Sequence, residues 1–270
     1  MTDVDVLELL GLAREVAAEA AALSADMRSH GVGVQKTKSN DLDIVTQADT
    51  AVESLIRRRI TAARPDDGVL GEEGGTAEGT SGLTWVVDPI DGTVNYLYGS
   101  PNYAVSIAAT TLGKNGDRIS IAGCVNAPIL GNEYTAAFGH PAHRNGVELH
   151  VNTGVPLDKA LVSAGIPYDL KIRERVLADF ARLAPRIRDL RLVGSAALDV
   201  CGVAEGRTDA HAGRRLPIWD YAAAALIAKQ AGAVVRGPRG GRPDLELLLV
   251  AEKSLADALD PFLSDGGNND

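Results

Sequence analysis

Apolar residues recur at helical spacing near the start of the chain. Val6, Leu9, Leu10, Ala13, Val16 and Ala17 share one face of a stretch that predicts an amphipathic helix over 4–28. A polar, turn-like segment at 36–41 follows, and Asp43-Ile44-Val45-Thr46 leads into a second helix over 47–63 that ends near Pro65. Val69-Leu70-Gly71 reads as a short strand entering a glycine-rich turn and a small-residue loop over 74–83, and Trp85-Val86-Val87 as a buried strand ended by Pro89. Alternating runs at 103–112, 119–126 and 133–138 predict successive antiparallel strands, with Gly113-Lys114-Asn115-Gly116 as a turn.

Near residue 155 the texture changes. Strand (160–164), helix (171–184), strand (190–193), helix (195–206), a strand near 209, helix (217–231), two strands ending at 246–251 and helix (253–264) alternate in the manner of a layered α/β half. The expected division is 1–152 as an α+β half, 153–264 as an α/β half and 265–270 as a disordered polar tail.

Composition narrows the class. A chain of 270 residues with 45% hydrophobic and 23% charged residues is long enough for a substantial core and ordinary for a globular protein. The formal charge of −9 argues against a nucleic-acid surface. The two cysteines, Cys124 and Cys201, lack metal-type spacing and suit a reducing interior. Asp3, Asp5 and Glu8 stand where a signal peptide is basic, and no long uninterrupted apolar run occurs, so the expectation is a cytoplasmic protein without membrane association.

The densest chemistry lies in Asp88-Pro89-Ile90-Asp91-Gly92-Thr93. Two carboxylates, a glycine and a hydroxyl follow a buried strand, and hard oxygen anions so close together suit Mg²⁺ and phosphate. Read alone, the stretch is equally an Asp-Pro turn with solvated acids. Glu72 is a strand-exit acid, Asp49 sits early in a helix where a carboxylate favours the dipole, and Ser195 is a good N-cap whose helix start presents N–H groups to an anion. Asp220 falls in a first helical turn beside Trp219, placed equally well for a metal ion or for a structural role.

Taken in order, Asp43-x-Val45-Thr46-x-x-Asp49, Gly71-Glu72-Glu73, Trp85 to Thr93, Gly194-Ser195-Ala196-Ala197 and Trp219-Asp220 resemble the inositol monophosphatase family of Mg²⁺-dependent phosphatases. The resemblance implies a layered αβαβα sandwich, an active site between the halves, a small phosphorylated substrate and a homodimer. By position, Glu72, Asp88 and the Ile90 carbonyl correspond to ligands of one metal ion, and Asp88, Asp91 and Asp220 to ligands of a second, with Glu72 also near a third. Thr93 and Asp49, with Thr46 nearby, correspond to the pair that activates the attacking water. Gly92, Thr93, Ser195, Ala196, Asp91, Asp220 and Lys38 correspond to the substrate side. Mn²⁺ is the expected substitute metal, and Li⁺ and Ca²⁺ the expected inhibitors.

The substrate side departs from the pattern. Where the inositol branch carries a glutamate, this chain has Gly213, followed by Arg214 and Arg215, which read as solvated surface charges or as partners of a second anionic group. Inositol-1-phosphate is the leading substrate, with histidinol phosphate, fructose 1,6-bisphosphate and 3′-phosphoadenosine 5′-phosphate as competitors. A regulatory binding protein with little catalysis is the reading from another class; it would be expected to have lost one of Glu72, Asp88, Asp91 or Asp220, and all are present.

Overall fold

The computed structural model describes residues 5–37 and 44–264, so Asp3, Lys38, Asp43 and the tail 265–270 lie outside the described residues. Asp5 accepts the N–H groups of Leu7 and Glu8 and thereby starts α1 (Val6–Ser29). The antiparallel pair β1 (Val34–Thr37) and β2 (Ile44–Thr46) leads into α2 (Gln47–Ala63). Then come β3 (Gly68–Gly71), β4 (Gly75–Ala77), β5 (Leu83–Asp91) and the short α3 (Thr93–Tyr98). The strands β6 (Ala104–Leu112), β7 (Arg118–Ala127), β8 (Asn132–Ala137), β9 (His143–Arg144) and β10 (Val147–Glu148) follow. The rest of the chain runs β11 (Leu161–Ala164), α4 (Leu170–Leu183), β12 (Asp189–Arg191), α5 (Ala196–Ala204), β13 (Ala210–Gly213) and α6 (Ile218–Gln230). It closes with β14 (Val234–Arg236), β15 (Leu248–Ala251) and α7 (Lys253–Ser264).

The strands form an eight-stranded sheet ordered β10-β9-β8-β7-β6-β5-β3-β4 and a five-stranded sheet ordered β12-β11-β13-β15-β14. In the larger sheet only β3 and β5 are parallel neighbours; in the smaller, β11 runs parallel to both β12 and β13. Helices fill three layers around them. Leu9, Val16 and Ala20 of α1 and Val52 and Ile56 of α2 pack on Trp85, Val105 and Ile107 of the larger sheet. On its other face Val86, Ala108 and Val125 meet Ala197 and Val200 of α5 and Ala223 and Ile227 of α6, which also touch Leu248 and Val250 of the smaller sheet. Val176 and Phe180 of α4 with Leu255 and Leu259 of α7 cover the outside of the smaller sheet. The result is the layered αβαβα sandwich, with α5 and α6 between the two sheets. Among the described residues no helix is long and apolar enough to cross a membrane.

The short strands β1, β2, β9 and β10 were not expected from the sequence, β1 taking up part of the segment read as turn-like, and two elements beside the site differ as well. The strand at 85–87 does not stop at Pro89: β5 runs through it to Asp91, and its pairing with β6 shifts register between Asp88 and Asp91. Proline lacks an N–H to donate, and an irregularity in the ladder is where a strand tolerates that loss. The loop over 74–83 contains β4, because the turn after Glu72 folds the chain back onto β3, with Gly71 opposite Gly75.

Candidate active site

Near the end of β5 two aspartates make different contacts. Asp88 is buried, and its Oδ1 accepts the N–H of Ile90 at 3.0 Å. Asp91 reaches across to α5: its Oδ2 accepts from Ser195 Oγ at 2.5 Å and from Ala197 N at 2.7 Å, and its Oδ1 from Ala196 N at 3.3 Å. A carboxylate of the larger sheet thus caps a helix packed between the sheets. Gly92 follows with φ 97, and a Cβ there would lie 3.0 Å from the Asn102 carbonyl and 3.1 Å from that of Gly194, so both its left-handed backbone and its crowding require glycine.

Gly92 caps α3, whose first residue, Thr93, turns back toward α2. Its Oγ1 lies 3.3 Å from Asp49 Oδ1 and 3.2 Å from the Ile90 carbonyl oxygen. Asp49 is held by a capping box: its Oδ2 accepts from Thr46 N at 2.7 Å and from Thr46 Oγ1 at 2.5 Å, while its own N–H donates to Thr46 Oγ1 at 3.4 Å. The loop is supported from below by Ile90, Ala48, Tyr96 and Tyr103; the two rings meet edge to face at 5.0 Å, and Tyr96 donates its hydroxyl to the Ser24 carbonyl at 2.8 Å.

Glu72, Asp88, Ile90, Asp91, Gly92, Thr93, Ser195, Ala196 and Asp220 all line one cavity of about 790 Å³. Acids from both ends of the sequence therefore meet there, and the electrostatics record it. Asp88 is pushed well above its usual range, first by burial and then by the charges of Glu72, Asp91, Asp220 and Asp49. Asp91 rises to about 6, again through burial, with the Ser195, Ala197 and Ala196 hydrogen bonds pulling the other way.

Among the described residues no three Asp, Glu, His or Cys side chains stand close enough to hold a metal ion as they are, and Asp91 has both oxygens bonded to the start of α5. The donor set nevertheless fits a hard divalent cation. Every group is oxygen, and the same-sign field at Asp88 is what such a cation would relieve.

Around this floor the walls were less legible. Arg214 does not meet the cavity as a free cation: its guanidinium is buried, bonded to Asp179 Oδ2 at 2.6 and 2.9 Å, to the Glu246 carbonyl at 2.5 Å and to the Leu263 carbonyl. Arg215 is exposed on the cavity wall, with a left-handed φ of 59. At Gly213 a Cβ would lie 2.4 Å from Leu216 Cδ1 and 3.0 Å from His211 Nε2, so Leu216, itself a cavity residue, fills the space a side chain at 213 would take.

Sequence reasoning missed Asp199, which lines the cavity one turn after Ser195 and is raised to about 8 by burial and then by Asp91. The Gly194-to-Asp199 spacing along a capped helix was the available signal. It missed equally the segment from Gly165 to Lys171, which follows β11 and forms another wall.

The layered fold and its acid-lined cavity fall in the class of phosphatases, as comparison with known proteins bears out. The chain belongs to the inositol monophosphatase family, a family of metal-dependent phosphatases, matching it over residues 5–263. It is similar to the inositol-1-monophosphatase of Mycobacterium leprae, 40% identical over 95% of this chain and 94% of the relative. The solved structure of Mycobacterium tuberculosis SuhB superposes with a TM-score of 0.82 at 39% identity, covering 98% of this chain and 99% of that one. A Vibrio cholerae relative named Nus factor SuhB is 33% identical over 86% of each chain.

Proposed function

We propose that this enzyme hydrolyses inositol-1-phosphate in a Mg²⁺-dependent reaction by direct attack of water. The observation that carries the reading is the gathering of Glu72, Asp88, Asp91 and Asp220 around one cavity, beside the hydroxyl of Thr93 and the carboxylate of Asp49.

Glu72, Asp88, the Ile90 carbonyl, Asp91 and Asp220 would hold two or three Mg²⁺ ions. When bound, the ions supply Lewis acidity, lowering the pKa of water and offsetting charge on the phosphate and leaving alkoxide. Thr93 and Asp49 orient the water and take its proton: Thr93 Oγ1 is 3.3 Å from Asp49 Oδ1, and the two Thr46 contacts fix that carboxylate. The backbone N–H groups of Gly92 and Thr93 at the start of α3 would receive the phosphate, with Ser195 and Ala196 packed beside them on the same cavity. No nucleophilic side chain is required, so trapping a phosphoryl adduct on the protein during turnover would refute direct attack. Mn²⁺ substitution, inhibition by Li⁺ and Ca²⁺, a homodimer and a cytoplasmic setting complete the proposal, on the resemblance to the family.

Arg215 favours a second reading, a substrate with a further anionic group such as fructose 1,6-bisphosphate or 3′-phosphoadenosine 5′-phosphate, because its exposed side chain lines the same cavity. Histidinol phosphate lacks that second anion. A regulatory role with little catalysis is the weaker alternative, since the full acid set is present. Phosphate release measured with Mg²⁺ on all four candidates separates them: a clear preference for inositol-1-phosphate supports the primary reading, and equal, feeble rates on all four refute it.

A further inference from the structure

A buried carboxylate and a partly buried guanidinium on α2 grip the backbone on both sides of Glu72. The Glu53 side chain is 2% exposed, and a carboxylate so deeply buried is stable only when its lone pairs are used. They are used on the turn that follows Glu72. Oε2 accepts the N–H of Glu73 at 2.7 Å, and Oε1 accepts the N–H of Gly74 at 2.8 Å and the Arg57 Nε–H at 2.7 Å. Arg57 continues the grip, donating to the Gly75 carbonyl at 2.5 Å and to the Val69 carbonyl at 3.5 Å. The approach is tight enough to dictate sequence: a Cβ on Gly71 or Gly74 would lie 2.5 or 2.8 Å from Glu53 Oε1. Glu72 therefore sits in a turn whose amides point inward at a fixed carboxylate instead of outward at water.

The same helix holds the other half of the site. Asp49 and Glu53 are four residues apart and share a face of α2. One turn of helix thus ties the Thr93–Asp49 contact, 3.3 Å long, to the Glu72 turn. We propose that Glu53 and Arg57 are positioning residues that set Glu72 relative to the Thr93–Asp49 pair, with α2 as the spacer. The proposal rests on the reading of Glu72 as a cation ligand.

The test measures Mg²⁺ binding calorimetrically in the absence of substrate, alongside phosphate release as a function of Mg²⁺, for wild type, Glu53→Gln, Arg57→Gln and Glu72→Gln. Glutamine keeps one acceptor and replaces the other with an NH₂ that faces a backbone N–H. Glu53→Gln is expected to weaken Mg²⁺ binding by about 10–100-fold, the usual effect of losing a group that orients a ligand. Saturating Mg²⁺ should restore most of its kcat, which a merely structural defect would not allow. Arg57→Gln leaves the two Glu53–amide contacts in place, shifts Mg²⁺ binding in the same direction by less, and keeps the test open should Glu53→Gln fail to fold. Folded variants at positions 53 and 57 with wild-type Mg²⁺ affinity, beside a weakened Glu72→Gln, would overturn the positioning role alone. Wild-type affinity in Glu72→Gln would overturn the ligand reading, and the positioning role with it.

Discussion

Single carboxylates in this protein act according to where burial has put them. Asp91 has a pKa near 6 while bonded to the start of α5, so it links the two sheets and also stands in the proposed ligand set. Asp91→Asn, nearly constant in volume, should lower turnover by more than the about 100-fold typical of losing a supporting group, with the cooperative melt retained. Near wild-type phosphate release would show that Asp91 is no ligand. Asp199 gives a pH signature. Its folded value of about 8 lies above the ordinary 3.8, so between those values the folded chain binds more protons than the unfolded one. Stability contributed by the protonated form is full below about 4 and is lost as pH rises toward 8. In metal-free buffer Tm should therefore fall across that window, and Asp199→Asn should flatten the fall; an unchanged slope in that variant would show that another group causes it. Arg214 shows what sequence hides at this scale. Its partner Asp179 lies 35 residues away, and nothing in the pattern of either segment announces the pair.

Elements bring the acids together because each acid stands at or near the boundary of an element. Glu72 follows β3, Asp88 and Asp91 close β5, Asp49 and Asp220 open α2 and α6, and Ser195 caps α5. That is why the gathering of these residues around one cavity was legible, their roles aside: the motifs mark element ends, and periodicity locates the elements. The element read least well was β5, since Pro89 signals an ending in sequence, whereas the irregularity between Asp88 and Asp91 absorbs it. The turn it leads into depends on one backbone conformation. Gly92→Ala forces a Cβ into the left-handed region at about 1–2 kcal/mol and against two carbonyl oxygens, displacing Thr93. A lowered Tm together with a fall in kcat that Mg²⁺ does not rescue is expected; full activity would mean that Thr93 need not be held there.

Across the whole molecule, two sheets and the helices between them form a cavity whose floor is acidic and whose walls come from other segments. The floor was readable because its chemistry is concentrated in short motifs. The walls were not: Leu216 filling the place of a side chain at 213, and Arg215 projecting beside it, depend on packing among β13, α6 and the segment leading to β15. The field at Asp88, set by burial and four neighbouring acids, is a global property and gives the most direct handle on function. A cation that binds only the folded chain raises its stability, so Mg²⁺ should raise Tm at neutral pH in wild type and less in Asp91→Asn; equal shifts would place the ion elsewhere. The central claim is tested by following phosphate release from inositol-1-phosphate after chelation of divalent ions and then on restoring Mg²⁺. The account predicts no turnover in the chelated protein and full recovery with Mg²⁺; turnover that persists through chelation, or none after Mg²⁺ is restored, would contradict it.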